Sequence, residues 1–226
     1  MKRRGLRGAA IAILATAGVL VCVAIAALAV LQVRTDSLHD DCTAVLSDAR
    51  YRAPVQVSGV EPIVQDVSCG YAVIEMFSSW DGGNVTEESL YDEYGGVVTS
   101  TGSSFCDEMN KRFTGYRTTM RTYLTDSELL VAVHDSLEAG VPVPFEWAAR
   151  HDGEWTLHYS IVTGMDLAGG GVTVANPYGY TEVLPPDELL SRTSFEAYAD
   201  MPLYLRLGFA FGVFEENAVF IPERVS

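Results

Sequence analysis

The sequence predicts an α+β fold, with helices first, an antiparallel sheet afterwards, and one long apolar helix ahead of both. Three observations predict it. Gly8 to Val33 is a run of 26 residues without a charge. Between Cys69 and Glu138 apolar residues recur at helical spacing, and from Val141 onward short apolar runs alternate with turn-forming Gly and Asn. Segregation of helices from strands along a chain is the pattern of an α+β domain.

The amino-terminal segment sets the compartment. Lys2, Arg3, Arg4 and Arg7 make residues 1–7 basic. At about 1.5 Å per helical residue, the apolar run 8–33 exceeds the roughly 30 Å hydrocarbon core of a bilayer. Basic residues hold that end in the cytoplasm, so the expectation is a single-pass cell-membrane protein with everything after Arg34 outside. A cleaved signal peptide is the competing reading, because Ala24-Ile25-Ala26 and Ala27-Leu28-Ala29 both resemble cleavage sites. The unbroken length favours a retained anchor. Residues 34–51 read as a juxtamembrane stalk, with a short helix within His39 to Arg50. Residues 52–226 read as one exported domain, free of repeats and low-complexity tracts.

Within that domain, Val55 to Val60 and Pro62 to Val64 read as extended. Cys69 to Trp80 places Ala72, Val73, Met76 and Phe77 on one helical face, and Asp81-Gly82-Gly83-Asn84 stops it. Thr86 to Tyr94 and Ser103 to Phe113 are two further helices. Thr125-Asp126-Ser127-Glu128 has capping-box form ahead of an apolar-periodic run, and Gly140 ends that helix. Sheet follows: Val141 to Ala148, a turn at His151-Asp152-Gly153, Trp155 to Met165, a turn at Gly169-Gly170-Gly171, Val172 to Ala175, and Tyr180 to Val183. Pro186 to Ser191 is one helical turn with proline at its start. The tail from Leu203 to Pro222 contributes two more apolar runs, read as strands.

Composition narrows function. With 30 Asp+Glu against 15 Lys+Arg, the chain carries −15, and nucleic-acid binding, which needs a basic face, is not expected. Aromatic content of 10% with 20% charged residues excludes a disordered acidic tail. No cofactor or metal is expected. There is no Asp-x-Asp-x-Asp-Gly loop, no His-x-x-x-His, no Cys-x-x-Cys and no glycine-rich phosphate loop followed by lysine. Glu87-Glu88 with Asp92-Glu93 reads as a solvated acidic face. Of the four cysteines, Cys22 lies inside the apolar run, leaving Cys42, Cys69 and Cys106 on the exported side. Two of those three can pair in a disulfide-permissive compartment, and their number leaves one unpaired.

The segment Gln65-Asp66-Val67-Ser68-Cys69-Gly70-Tyr71-Ala72 carries the chemistry. Cys69 falls at a predicted helix start, where unpaired N–H groups and the macrodipole favour a thiolate, the nucleophilic form. Gly70 permits close approach of another backbone or of a substrate. The Gln65 amide and the Cys69 N–H could together stabilise an oxyanion. A buried structural cysteine is the alternative. A nucleophile needs a base. His39, His134 and His151 read as stalk, helix-surface and turn-surface residues, whereas His158 lies within a strand, in HYSIVTG. Eighteen residues later, at the end of the next strand, Asn176 can accept the imidazole Nδ1–H and leave Nε2 facing the thiol. Its alternative role is that of a turn-former before Pro177.

Gln, then Cys-Gly at a helix start, then His-Tyr in a strand, then Asn-Pro after the next strand resembles the papain-like cysteine peptidases. The branch related to bacteriocin double-glycine leader peptidases, the peptidase C39-like proteins, is the most similar. LEAGVPV (137–143) resembles the segment entering the family's sheet, HYSIVTGMD (158–166) its histidine strand, and VANPYG (174–179) its orienting turn. The similarity covers about residues 52–195. It implies a papain-like fold with the nucleophile helix packed on an antiparallel sheet. It also implies Cys69 as nucleophile, His158 as general base and acid, Asn176 as orienter and Gln65 as the side-chain half of the oxyanion hole. With Cys69 free, the same assignment leaves Cys42 and Cys106 to bridge, a link worth about 4 kcal/mol by loop-closure arithmetic.

The expected activity is therefore hydrolysis of peptide or other amide bonds through an acyl-enzyme, by an extracellular, membrane-anchored thiol protease. Peptides, proteins or cell-wall peptides are its expected partners, with the membrane engaged through the N-terminal helix. The alternatives are a catalytically silent papain-like surface domain that binds peptides or a partner, and a cell-wall amidase or transpeptidase.

Overall fold

The charge-free run forms a continuous helix, α1 (Lys2–Leu38), in the computed structural model, which describes the backbone of residues 2–225 and the side chains of residues 13–225. The side chains of Lys2 to Arg7 lie outside the described residues. The apolar stretch of α1 from Ile13 onward is long and apolar enough to cross a membrane, and its most apolar 18-residue window has no buried residue, whereas Leu31 packs against the domain. Its last turns are clamped to the domain. Arg34 Nε donates to Glu216 at 2.7 Å and Arg34 Nη2 donates to the Phe209 carbonyl at 3.0 Å.

The segment read as a stalk folds against the domain instead. It forms α2 (Thr43–Ser47) and α3 (Ala49–Arg52), and Cys42 and Val45 are buried in the core. A short strand β1 (Val55–Gln56) leads to α4 (Cys69–Trp80), α5 (Glu87–Tyr94) and α6 (Gly102–Arg112). After β2 (Tyr116–Arg121) comes α7 (Asp126–Glu138), whose Thr125 cap exchanges both capping-box bonds with Glu128. The chain continues through β3 (Val143–His151), β4 (Glu154–Asp166), β5 (Gly171–Asn176), β6 (Tyr180–Leu184), α8 (Pro186–Thr193), α9 (Leu203–Ala210) and β7 (Val219–Arg224).

Among the described residues these strands form one antiparallel sheet in the order β2-β7-β3-β4-β5-β6, with β1 added on β4. The sheet has two covered faces. Phe145, Trp147, Val162 and Val174 pack under α7 and α8, whereas Tyr159, Ile161, Ala175 and Phe220 pack under α4 and α6. Strand alternation produces this split, since successive side chains point to opposite faces.

Three departures from expectation appear here. Leu203–Ala210 is a helix, not a strand. Pro202 immediately precedes its first residue, and the apolar alternation is absorbed by packing on α1 and Phe214 rather than by a sheet edge. β2, in turn, was not anticipated, because Tyr116–Arg121 alternates aromatic, charged and hydroxyl residues with little apolar content. The implied Cys42–Cys106 bridge is also absent: both are free thiols. Cys42 belongs to the α7-side core and Cys106 packs against the α4-side core, so the sheet lies between them.

Candidate active site

Ser68 caps α4, its hydroxyl accepting from the Tyr71 N–H at 3.2 Å, which makes Cys69 the first helical residue. The backbone N–H groups of Cys69, Gly70 and Tyr159 all face the Cys69 thiol and favour its ionised form. Burial outweighs them and pushes the thiol up to about 11, with Glu146 adding in the same direction. Gly70 is required by its surroundings. A Cβ there would meet the Thr99 side chain, including Thr99 Cβ at 2.8 Å.

The loop ahead of Cys69 is held by a residue that the sequence reading misplaced. Glu87, read as part of a solvated acidic face, is buried. Its carboxylate accepts the N–H groups of Asp66, Val67 and Ser68, each at 3.0 Å. The correction has a plain cause. An acidic residue in the first turn of a helix is ordinarily solvated, and only the folded loop brings three donors to it. Gln65 continues the same loop. Its N–H donates to the Pro177 carbonyl at 2.8 Å, and its side-chain Oε1 is buried without a partner. That backbone bond ties Gln65 to the turn after Asn176. Gly179 makes the approach possible, with φ +85° and Val64 Cγ2 at 2.6 Å from where a Cβ would stand.

On the sheet side, Trp147 pairs with His158 and Glu146 with Tyr159, so the adjacent His158 and Tyr159 diverge. Tyr159 enters the α4-side core, stacked on Phe105 at 4.6 Å. His158 turns to the end of β5, where its Nε2 lies 3.0 Å from Asn176 Oδ1. The pairing expected from the sequence used the other ring nitrogen. With Nε2 donating to Asn176, Nδ1 is the nitrogen left with a lone pair. Asn176 Oδ1 also accepts the Tyr178 N–H at 3.1 Å, and its Nδ2 donates to Glu182 Oε1 at 2.9 Å. Glu182 is in turn 3.9 Å from Arg192. Arg192, Glu182, Asn176 and His158 therefore form one chain in which the amide cannot flip without losing a bond. Tyr178 stacks on His158 at 4.2 Å and on His151 at 4.0 Å, covering the imidazole. Burial pulls His158 down to about 4, against the bond to Asn176.

The Tyr159 N–H thus brings the Cys69 thiol to β4 one residue from His158 in the chain, and the Gln65 loop reaches the turn after Asn176. Among the described residues no hydrogen bond joins Cys69 Sγ to the imidazole, and at neutral pH both groups are uncharged. Of the other histidines, His134 is buried against Tyr51 rather than on the helix surface, and His39 pairs with Asp126 at 2.9 Å. The neighbouring carboxylates Asp135 and Glu138 hold Arg50 at 2.9 and 2.7 Å, so that acidic group has a cation supplied by the chain.

A cavity of about 390 Å³ opens beside Cys69, with Thr99, Glu146, Tyr159 and Tyr204 among its walls. Glu146 and Glu182 are site residues that the sequence reading missed. Both sit in strands whose alternation gives no hint of their partners.

A search of curated proteins finds no match for the chain. A family model described as "Peptidase_C39 like family" matches residues 57–200, well over half of the chain. The matched span contains the Cys69 helix, the His158 strand and the Asn176 turn. The chain therefore belongs to the Peptidase_C39 like family, and its cysteine peptidase-like domain, with the Cys69 helix packed on an antiparallel sheet, has the papain-like fold.

Proposed function

We propose that the protein is a thiol hydrolase of peptide or other amide bonds, anchored by α1 with its domain outside the cytoplasm. The observation that carries this reading is the Asn176–His158 pair at 3.0 Å, one residue along β4 from the Tyr159 N–H that faces the Cys69 thiol. In the proposed cycle Cys69 Sγ attacks the carbonyl carbon and His158 Nδ1 takes the thiol proton. The oxyanion receives hydrogen bonds from the Cys69 N–H and the Gln65 side-chain amide. His158 then gives its proton to the leaving amine, and water hydrolyses the thioester with the imidazole again acting as base. Asn176 holds the tautomer throughout. Bringing Sγ onto Nδ1 creates the thiolate–imidazolium pair, in which each charge lowers the cost of the other.

The basic cluster ahead of the apolar helix supports the outward orientation. Peptides, proteins and cell-wall peptides remain the substrates under this reading. A silent binding domain is the second reading, favoured by the buried, uncharged thiol that makes no hydrogen bond to the imidazole.

The test is labelling of the full chain by a peptidyl vinyl sulfone, with peptide mapping of the modified residue. The hydrolase reading expects Cys69 to be modified, at a rate falling at least about 100-fold in His158→Ala, in line with the loss of a general base. Labelling that is absent, or indifferent to His158→Ala, would establish the silent reading.

A further inference from the structure

Beside Cys69, the wall of the cavity formed by β3 carries a carboxyl that nothing in the fold explains. Glu146 is 3% exposed, its Oε2 is buried without a partner, and among the described residues no hydrogen bond or ion pair reaches its carboxyl group. Its neighbours are in the same condition. The Tyr159 hydroxyl, Thr99 Oγ1 and Glu215 Oε2 are all buried and unpartnered. A buried carboxyl without a partner is costly to a fold. Glu146 is thus a buried acceptor in the cavity wall to which no donor is bonded.

The cavity wall also says what kind of donor fits. No Lys, Arg or His lines it. The guanidiniums of Arg150 and Arg192 sit over Trp155, each 5.7 Å from its ring centroid, and neither pairs with Glu146. Leu157, Tyr198 and Tyr204 supply apolar surface along the way in. An apolar sleeve with one unpaired carboxyl in its wall suits a side chain with an aliphatic stem and a cationic tip.

We propose that this cavity is the specificity subsite of the Cys69 centre and takes a lysine or arginine side chain adjacent to the scissile bond, with Glu146 as its acceptor. The proposal rests on the hydrolase reading for the meaning of "scissile", but the subsite itself stands on the cavity. In the empty site Glu146 keeps its proton, burial and the charge of Glu215 pushing it up to about 8. The arriving cation displaces that proton. Groups facing it are Cys69 from α4, Tyr159 from β4 and Glu215 from the segment before β7, none of them cationic.

Binding to the full chain carrying Cys69→Ala, purified in detergent, tests the subsite without turnover. The probes are fluorescent hexapeptides in which a single lysine is moved along the sequence and compared with norleucine and acetyl-lysine. The expected result is one position at which lysine binds at least about 10-fold more tightly than either analogue, a difference of about 1.4 kcal/mol. Glu146→Gln should collapse that ratio to near one. Thermal unfolding checks the fold of the variant, and Glu215→Gln, expected to lower the ratio partway, serves if it does not fold. No position favouring lysine, or a ratio that survives Glu146→Gln, would overturn the proposal. Acetyl-lysine binding as well as lysine would overturn the cationic class. A lysine preference in a chain that no vinyl sulfone labels would instead remove the hydrolase reading and leave the subsite.

Discussion

The two walls of the candidate site are built differently. The strand wall is saturated: His158 bonds to Asn176, Asn176 to Glu182 and to the Tyr178 N–H, and Tyr178 lies flat over the imidazole. The groove wall is starved, leaving Glu146, Tyr159, Thr99 and the Gln65 carbonyl oxygen buried with no partner. Groups that must hold one geometry are fixed in advance by the fold, at the cost of ordering them before any substrate arrives. Groups that must recognise something are left open, and the desolvation penalty they carry is relieved only by a ligand. Under the proposed function, folding organises the base and binding completes the groove.

The sharpest way to break the comparison is at Asn176. If the strand wall is preorganised for proton transfer, Asn176→Ala should lower kcat on a cleaved peptide by about 100-fold or more, by analogy with loss of an orienting group or an oxyanion donor. The far-ultraviolet circular dichroism should stay the same. A rise in KM alone, with kcat retained, would assign Asn176 to the turn and not to the imidazole.

Glu87 asks whether the loop before Cys69 belongs with the saturated wall. Three backbone donors depend on its carboxylate. Glu87→Ala should cost about 2–4 kcal/mol in urea unfolding, since each buried donor left unpaired carries a penalty of about 1–3 kcal/mol that rearrangement relieves in part. An effect below about 0.5 kcal/mol, the level of an ordinary surface change, would restore the solvated-face reading.

The pH dependence of stability separates the walls by sign. Glu146 is raised to about 8 in the fold, so between its ordinary value of 4.5 and about 8 the folded state binds the extra proton and stability falls with rising pH. His158 is lowered to about 4 from 6.5, so between those values the unfolded state binds more protons and stability rises with pH. Glu146→Gln should therefore unfold at a higher temperature than the parent chain, by a margin that widens from pH 5 to pH 8. A margin independent of pH would mean that Glu146 is charged in the fold and already has a partner.

The smallest effect is expected at Gly179, which serves both the Asn176 turn and the Gln65 loop. Gly179→Ala should cost about 1–2 kcal/mol, from the positive φ and the contact with Val64. Denaturant midpoints would measure it, and an unchanged midpoint would show that the loop can withdraw from the turn.

By itself the sequence determined the order of most elements and pointed to Cys69, His158 and Asn176 as candidate site residues. Helical periodicity placed Cys69 at the start of a helix, the capping box at Thr125 placed α7, and turn residues separated the sheet strands, because these signals depend on neighbours a few positions apart. His158 and Asn176 were legible for the same reason, each marked by its own strand and turn. Tertiary structure decided the rest. It chose Nε2 over Nδ1 for the Asn176 bond, made Leu203–Ala210 a helix on α1, and set the sheet between Cys42 and Cys106. It also turned Glu87 inward onto three loop donors and left Glu146 unpartnered beside the thiol. Such outcomes depend on contacts between residues far apart in the chain, and the charge of a carboxylate does not tell which donors, if any, folding will bring to it.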